Sequence, residues 1–376
     1  MAGIYIHVPF CKTRCIYCDF FTRTDLTHKQ DYVASLCREM YLRKSYTGND
    51  AIKTIYFGGG TPSLFNKADF DRIFEAITSN FEVEADAEIT LEANPDDLTV
   101  NYIRDLVSLP FNRISIGIQS FEDDDLKFLN RRHSARRAIE AVENCQHSGF
   151  ENISIDLMYG LPDQAMEGWM TNLEKAVALN IQHVSAYHLI YEEETRLYKL
   201  LQQHKIQQVD EELSIGMFSA MIDRLTDVGF AHYEISNFAK EGFISKHNSS
   251  YWLREKYLGL GAAAHSYDGV SRAWNISSIG GYIKGIDEGK PKQEIEPFDI
   301  YSHYNEYILT GLRTMWGVDL KVLEQLYGIE LLYYCMQNVR KHIDTGLVTI
   351  YDNILRLTRK GIFVSDDIMS DLMYVK

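Results

Sequence analysis

The chain has 376 residues, 45% of them hydrophobic and only 7 of them proline, so it can form a large domain with an ample core and a smaller second domain. A formal net charge of −15 argues against a nucleic-acid-binding protein, because contacts to phosphates need a basic surface. The sequence shows neither a secretion signal nor an apolar run near the ~20 residues of a membrane span, which predicts a cytoplasmic protein.

The first predicted strand leads directly into a loop rich in cysteine. Residues 3–9 are short, apolar and β-branched, as expected of a buried strand. Cys11, Cys15 and Cys18 follow in a C-x-x-x-C-x-x-C pattern and make up half of the 6 cysteines of the chain. Because thiols stay reduced in the cytoplasm, this spacing favours metal binding over disulfide formation.

Strand-like and helical patterns alternate through the rest of residues 1–240. The strand-like runs lie at 54–57, 88–91, 113–118, 152–158 and 183–190, and the helical patterns at 70–77, 102–107, 135–145 and 169–179. Alternation of this kind predicts a parallel α/β domain. Polar residues follow the ends of several strands, which favours a partial, TIM-like (β/α)6 barrel over an open sheet.

The rest of the chain changes character in two steps. Residues 241–296 are interpreted as a connecting segment with a polar boundary at its end, and 297–376 as a smaller α+β domain. Helices are predicted at 213–225, 301–313, 320–327 and 331–343, and strands at 233–238, 347–351 and 354–357. The last three helices and two strands resemble a winged helix. Such a domain can bind DNA, but the acidic chain disfavours that role.

The cysteine loop admits two kinds of metal centre. A tetrahedral zinc ion would need a fourth ligand such as His7, whereas a four-iron cluster on three thiolates would leave one iron open to a small molecule. The sequence contains no second C-x-x-C pair of the kind that zinc knuckles use, so the cluster is favoured. Cys37, Cys145 and Cys335 fall on apolar helical stripes and are assigned to the core.

Polar and glycine residues gather just beyond the predicted strands. These candidates are Gly59, Gly60, Thr61, Glu92, Gln119, Arg131 and Asp156. Glycine would let the backbone approach a ligand closely, and Glu92 is suited to ribose hydroxyl groups. Amide, guanidinium and carboxylate groups at one barrel mouth could hold adenine, ribose and a carboxylate.

With Tyr17 before its last cysteine, the loop resembles the motif of the radical S-adenosylmethionine (SAM) superfamily. The stretches YIHVPFCKTRCIYCDF, YFGGGTPS, EANPDD, RISIGIQSF and IDLMYGLP are similar to the HemN/HemW group, which comprises oxygen-independent coproporphyrinogen III oxidases and heme chaperones. The resemblance implies a [4Fe–4S] cluster on Cys11, Cys15 and Cys18, with SAM on the open iron. It also implies SAM contacts from Tyr5, Gly59, Gly60, Thr61, Glu92, Gln119, Arg131, Asp156 and Ile190.

Two departures and one motif separate the branches of this group. The oxidases resemble the pattern C-x-x-x-C-x-x-C-x-C, and Phe20 occupies the position of their additional cysteine. Those enzymes also carry an N-terminal extension before the first strand, which does not precede the first strand here. The motif H-N-x-x-Y-W, with His247, Tyr251 and Trp252, resembles the heme-binding motif of the chaperone branch. His247 is the candidate heme contact, since imidazole can be an axial ligand.

The resemblance therefore implies a heme chaperone that carries a [4Fe–4S] cluster, SAM and heme, and that passes heme to an acceptor protein. The alternative is an oxygen-independent oxidase that decarboxylates the propionates of coproporphyrinogen III. The identity of the acceptor, catalytic residues, SAM cleavage and the formation of a homodimer are left open.

Overall fold

Six parallel strands form the centre of the molecule, whose computed structural model describes residues 2–48 and 50–375. The strands are β1 (Ala2–Val8), β2 (Ile52–Gly59), β3 (Val83–Ala93), β4 (Arg113–Gln119), β5 (Ile153–Tyr159) and β6 (His183–His188). They lie side by side in chain order. Ile4, Ile6 and Val8 of β1 are fully buried, because helices cover the sheet as they do in parallel α/β proteins.

Helices connect these strands in the pattern that the sequence predicts. They are α1 (Lys29–Leu42), α2 (Lys67–Asn80), α3 (Val100–Val107), α4 (Asp123–Phe128), α5 (Ala135–His147) and α6 (Met166–Ala178), with a 3₁₀ turn at Pro62–Leu64. Asn66 forms a capping box with Asp69 at the start of α2, and Thr99 and Ser134 cap α3 and α5. The predicted α/β architecture is confirmed.

The segment after the six strands extends the same sheet at both edges. It contains α7 (Arg196–Gln202), α8 (Glu211–Asp227), β7 (Ala231–Glu234), β8 (Asn237–Ala239), α9 (Lys246–Trp252), β9 (Lys256–Leu260), β10 (His265–Tyr267), β11 (Ser271–Asn275), α10 (Ile279–Asp287) and β12 (Gln293–Pro297). β9 pairs with β1 in parallel, and β10, β11 and β12 follow in antiparallel order. The segment predicted as a connector thus contributes β9 to β12 to this sheet and also contains the helices α9 and α10.

The C-terminal domain has its own core and a separate three-stranded sheet. Its elements are α11 (Ile300–Leu312), β13 (Val318–Asp319), α12 (Leu320–Tyr327), α13 (Ile329–Asp344), β14 (Val348–Tyr351), β15 (Ile354–Leu357), α14 (Arg359–Ile362) and α15 (Ser365–Leu372). Asp352 and Asn353 both have positive φ, of 50° and 61°, as a tight hairpin turn between β14 and β15 requires. Within 2–48 and 50–375, no helix is both long and apolar enough to cross a membrane.

Candidate functional site

The cysteine loop between β1 and α1 lies at the carboxyl ends of the parallel strands. Cys11, Cys15 and Cys18 all line one cavity of about 460 Å³. The loop is fixed at both sides, since the N–H of Cys11 donates to the carbonyl of Arg23 at 3.0 Å and the N–H of Ile16 donates to that of Leu129 at 3.3 Å. The fold therefore brings the three predicted cluster ligands to one wall of the barrel mouth.

Hydrogen-bond donors reach two of these sulfur atoms. The hydroxyl of Thr61 donates to Sγ of Cys11 at 3.4 Å, and the guanidinium of Arg131 donates to Sγ of Cys15 at 3.4 Å. Burial raises the pKa of Cys11, and it raises that of Cys18 to about 11. Metal binding releases these thiol protons, and the donors favour the thiolate form that iron needs. The donor set fits an iron–sulfur cluster.

The zinc alternative lacks its proposed fourth ligand. The ring of His7 is buried, with Nδ1 3.0 Å from the hydroxyl of Tyr5 and Nε2 3.0 Å from the carbonyl oxygen of Phe21. Neither nitrogen is available to the cysteine loop. Across the described ranges, no three His, Cys, Asp or Glu side chains are grouped so that they could hold a single metal ion. Cys145 and Cys335 are fully buried in the two cores.

Most of the predicted SAM contacts line the same cavity as the cysteines. They are Gly59, Gly60, Thr61, Glu92, Gln119, Arg131, Asp156 and Ile190. Tyr5 is the exception, because its ring lies deeper in the barrel, where it stacks on Tyr56 with ring centroids 6.3 Å apart. Ile190 is 65% exposed at the rim of the cavity. The structure thus gathers residues of β2, β3, β4 and β5, and of the connections that follow β2, β4 and β6, around one space.

Two half-buried carboxyl groups face this space. Glu92 accepts a hydrogen bond from the hydroxyl of Tyr56 at 2.7 Å and another from the N–H of Gly59 at 3.1 Å. The pKa of Glu92 is raised to about 7 and that of Asp156 to about 6, in both cases mainly by burial, and the charge of Asp156 contributes to the raised pKa of Glu92. A carboxylate has about four acceptor positions, so Glu92 retains capacity for ligand hydroxyl groups.

The glycine run has a physical reason that the sequence did not reveal. A Cβ atom on Gly60 would lie 2.6 Å from the carbonyl oxygen of Val8, and one on Gly59 would lie 2.4 Å from the ring of His7. Gly59 also has a φ of +101°, which disfavours any side chain. These glycines are therefore required first for close packing against β1, although both also line the cavity.

Asn94 is a cavity residue that sequence reasoning missed. Its amide oxygen accepts a hydrogen bond from Arg131 at 2.6 Å, and its amide nitrogen donates to Thr61 at 3.2 Å. Asn94 thereby joins the two residues that contact the cysteine sulfurs. It lies two positions after Glu92 in the EANPDD stretch, which was the available signal.

Gln119, at the end of β4, has a backbone φ of +70°. This conformation is unfavourable for a residue with a side chain, and such conformations cluster at functional sites.

The H-N-x-x-Y-W motif lies on α9 at the opposite, amino-terminal end of the strands. His247 is only 1% exposed, and both of its ring nitrogens have protein partners. Nδ1 is 2.8 Å from the hydroxyl of Thr54, and Nε2 is 2.8 Å from the hydroxyl of Tyr251. Burial lowers the pKa of His247 to about 3, so the imidazole is neutral. In this conformation His247 cannot ligate iron unless one of these partners moves.

Further contacts hold the motif helix against the barrel. The His247 ring stacks on Tyr56 with centroids 4.8 Å apart and planes 19° apart. The carboxylate of Glu88 accepts the N–H groups of Lys246 and His247 at 3.0 and 2.9 Å. Tyr251 and Trp252, by contrast, line a second and smaller cavity. Of the three heme candidates, His247 therefore has both ring nitrogens hydrogen-bonded within the protein, whereas Tyr251 and Trp252 border a cavity.

Comparison with known proteins agrees with this arrangement. The family model described as the radical SAM superfamily matches residues 5–176, and that of the HemN C-terminal domain matches 302–364. The heme chaperone HemW of Bacillus subtilis is 34% identical over 98% of this chain and 98% of its own length. The HemW protein of Lactococcus lactis is 33% identical over 98% and 96%, respectively.

A solved structure shares the whole fold. Coproporphyrinogen III oxidase (HemN) from Escherichia coli, described as a radical SAM enzyme, superposes with a TM-score of 0.86 over 99% of this chain and 90% of its own. Its sequence identity of 23% establishes the fold alone. Together with the full-length relatives, the cysteine loop and the barrel mouth, these matches show that the chain belongs to the HemN/HemW group of the radical SAM superfamily.

Proposed function

We propose that this chain binds heme and delivers it to an acceptor protein, on a barrel that also holds a [4Fe–4S] cluster and SAM. The observation that carries the proposal is the similarity, along 98% of both chains, to a relative named as a heme chaperone. The similarity includes α9 and the C-terminal domain as well as the barrel. Phe20, 61% exposed beside the cysteine loop, supports the same branch, since a cysteine is expected there in the oxidases.

Cys11, Cys15 and Cys18 would hold the cluster at the barrel mouth. When bound, the cluster supplies SAM with the electron that cleaves its sulfonium bond. Arg131 and Thr61 donate hydrogen bonds to the thiolates, which offsets the negative charge that the ligands bring into a buried site. The chain's own donors therefore stabilise the charged form of the loop.

The remaining cavity residues would bind SAM. Glu92 and Asp156 offer acceptor oxygens to hydroxyl and amino groups, and Gln119 offers an amide. Ile190 offers an apolar surface at the rim, suited to a flat ring. Tyr5 supports the site from below through its stack with Tyr56, whose hydroxyl orients Glu92. Tyr5 thus acts through Tyr56 and Glu92 rather than by facing the cavity.

His247 is the proposed ligand of the heme iron. Its lowered pKa keeps the imidazole neutral, which is the form that binds a metal. Binding requires that Nε2 lose its hydrogen bond to Tyr251 or that Nδ1 lose the one to Thr54. Tyr251 is the better candidate for movement, because it also borders the second cavity, whereas Thr54 is fixed in β2.

An oxygen-independent coproporphyrinogen III oxidase is the second candidate. The observation in its favour is the cavity beside the cysteines, which Glu92 and Asp156 help to line, since a pure carrier has no evident use for a radical precursor. Phe20 and the H-N-x-x-Y-W motif argue against it.

One anaerobically reconstituted preparation can decide between the two functions. Hemin binding is followed by the Soret band, and coproporphyrinogen III is incubated with SAM and a reductant on the same protein. The proposal predicts stoichiometric hemin binding and no protoporphyrinogen. Efficient turnover in a preparation that does not bind hemin would overturn it.

A further inference from the structure

The second cavity, of about 190 Å³, lies between the motif helix and the C-terminal domain. It is lined by Tyr251, Trp252, Arg254, Tyr257, Tyr267, Arg272, Glu306, Leu309 and Thr310. These residues come from α9, the strands β9, β10 and β11, the loop after α9, and α11. None of them borders the cavity at the barrel mouth, so the two spaces are distinct.

This cavity carries a surplus of positive charge. Two guanidinium groups, of Arg254 and Arg272, line it together with a single carboxylate, that of Glu306, and Arg254 donates a hydrogen bond to the hydroxyl of Tyr327. One nitrogen of Arg272 pairs with Glu306 at 3.1 Å, but its buried Nε has no acceptor among residues 2–48 and 50–375. The indole nitrogen of Trp252 is likewise buried and without an acceptor in the described parts of the chain. Unsatisfied buried donors cost about 1–3 kcal/mol each, so a ligand oxygen that reached them would be stabilised. Because neither nitrogen opens onto the cavity in this conformation, a neighbouring side chain must move before a ligand can accept from it.

A positive surplus, spare donors and aromatic walls together suit a carboxylate attached to an apolar body. The volume is below the ~300 Å³ at which pockets hold a whole drug-sized molecule, so the cavity suits one arm of a ligand. We infer that this cavity receives a carboxylate, with Arg272 and Trp252 as its donors. Resting on the proposed function, the inference identifies that arm as a propionate of heme.

The position of Tyr251 connects this cavity with His247. Its hydroxyl is 2.8 Å from Nε2 of His247, and its ring is in edge contact with Tyr257, with centroids 4.6 Å apart. Both Tyr251 and Tyr257 line the cavity. If a propionate of a porphyrin enters this cavity, only the side chain of Tyr251 separates the cavity from the proposed iron ligand, His247.

The test compares hemin with hemin dimethyl ester, in which both carboxylates are blocked. Affinities are measured on the full-length, cluster-loaded protein, on Arg272→Gln and on Trp252→Phe. Wild type is expected to bind hemin at least about tenfold more tightly than the ester, and this ratio should fall toward one in Arg272→Gln. Arg136→Gln, which breaks an exposed ion pair with Glu140, is the matched control and should keep the wild-type ratio.

A calorimetric titration with free propionate separates the two sources of a carboxylate. Propionate that binds wild type but not Arg272→Gln, while hemin and ester bind equally, would overturn the heme assignment and support a site for free acids. Equal binding of hemin and ester with no propionate binding would overturn the carboxylate site itself. If neither porphyrin binds, the proposed function fails, and propionate still tests the cavity. Trp252→Phe, which removes the indole donor, should also lower the ratio and replaces Arg272→Gln if that variant does not fold.

Discussion

The polar side chains at the two ends of the barrel differ in whether they have free capacity for hydrogen bonds to a ligand. At the mouth, Glu92 and Asp156 face a cavity and keep acceptor capacity for a ligand. At the base, both nitrogens of His247 are occupied by Thr54 and Tyr251. The mouth is therefore ready for ligands as it stands, whereas the base must rearrange before its histidine can bind iron.

Burial has opposite effects on stability at the two ends. It raises the pKa of Glu92, so ionisation of this group costs stability as the pH rises. It lowers the pKa of His247, so protonation of this group costs stability as the pH falls. The two ends can consequently be distinguished by titration as well as by ligand binding.

The largest effect is expected at the cysteine loop. Cys15→Ala removes one of three thiolates, and the two remaining thiolates cannot hold a four-iron cluster stably. We expect loss of most of the iron and sulfide after reconstitution, measured by chemical analysis and electron paramagnetic resonance. Cys37→Ala, which removes a thiol that contacts the carbonyl of Arg72 outside the cavity, should retain both. Equal iron content in the two variants would contradict the assignment.

The next effect is acid destabilisation at the base of the barrel. The unfolded chain protonates His247 below pH 6.5, while the folded chain resists protonation down to about pH 3. This difference should cost wild type about 2 kcal/mol between pH 7 and pH 5. His247→Gln should lack that component in urea unfolding at the two pH values. His147→Gln, at the exposed end of α5, should retain it, and parallel losses in all three proteins would exclude the predicted effect.

Glu92, at the mouth of the barrel, should make the protein less stable as the pH rises, which is the opposite of the effect of His247. The folded chain holds the Glu92 proton up to about pH 7, whereas the unfolded chain releases it near pH 4.5. The stabilisation present below pH 4.5 is lost as the pH rises through 7, by about 1–3 kcal/mol for a partly wetted group. Glu92→Gln should therefore gain stability relative to wild type between pH 5 and pH 8. Glu143→Gln, on the exposed face of α5, is the control, and an identical profile for both variants would refute the prediction.

A smaller effect tests whether Tyr251 blocks the histidine. Tyr251→Phe removes the hydroxyl that occupies Nε2 of His247. Since a hydrogen bond contributes about 1 kcal/mol, hemin should bind about fivefold more tightly. Tyr333→Phe, 69% exposed on α13, should leave the affinity unchanged. Weaker binding by Tyr251→Phe would mean that the hydroxyl contacts the ligand rather than closing the site.

The sequence was most informative where local pattern determines structure. The six parallel strands follow from β-branched runs, and the predicted helix at 320–327 agrees with the observed Leu320–Tyr327. The carboxyl ends of parallel strands meet at one edge, which is why Cys11, Glu92 and Asp156 could be assigned to one mouth. Strands β9 to β12 were missed. Gly259, whose Cβ would lie 1.8 Å from the carbonyl oxygen of His265, interrupts the apolar pattern of β9, and β12 (QEIEP) is mostly polar and ends in proline.

Long-range contacts account for what the sequence could not predict about the site. Thr54 and His247 are 193 positions apart, and no local pattern indicates that they form a hydrogen bond. The same holds for the stack of Tyr56 on His247 and for the role of Asn94 between Thr61 and Arg131. The motif could be recognised from sequence, but its closed state depends on how the barrel packs.

The most direct test is to measure hemin and SAM affinity on the same cluster-loaded variants. His247→Gln retains groups that can bond to Thr54 and Tyr251 but provides no imidazole, and Glu92→Gln removes a carboxylate only at the mouth. The account predicts a crossed result: His247→Gln loses hemin binding and keeps SAM affinity within about threefold, while Glu92→Gln weakens SAM binding and leaves hemin binding intact. Unchanged hemin affinity and an unchanged Soret spectrum in His247→Gln would contradict it.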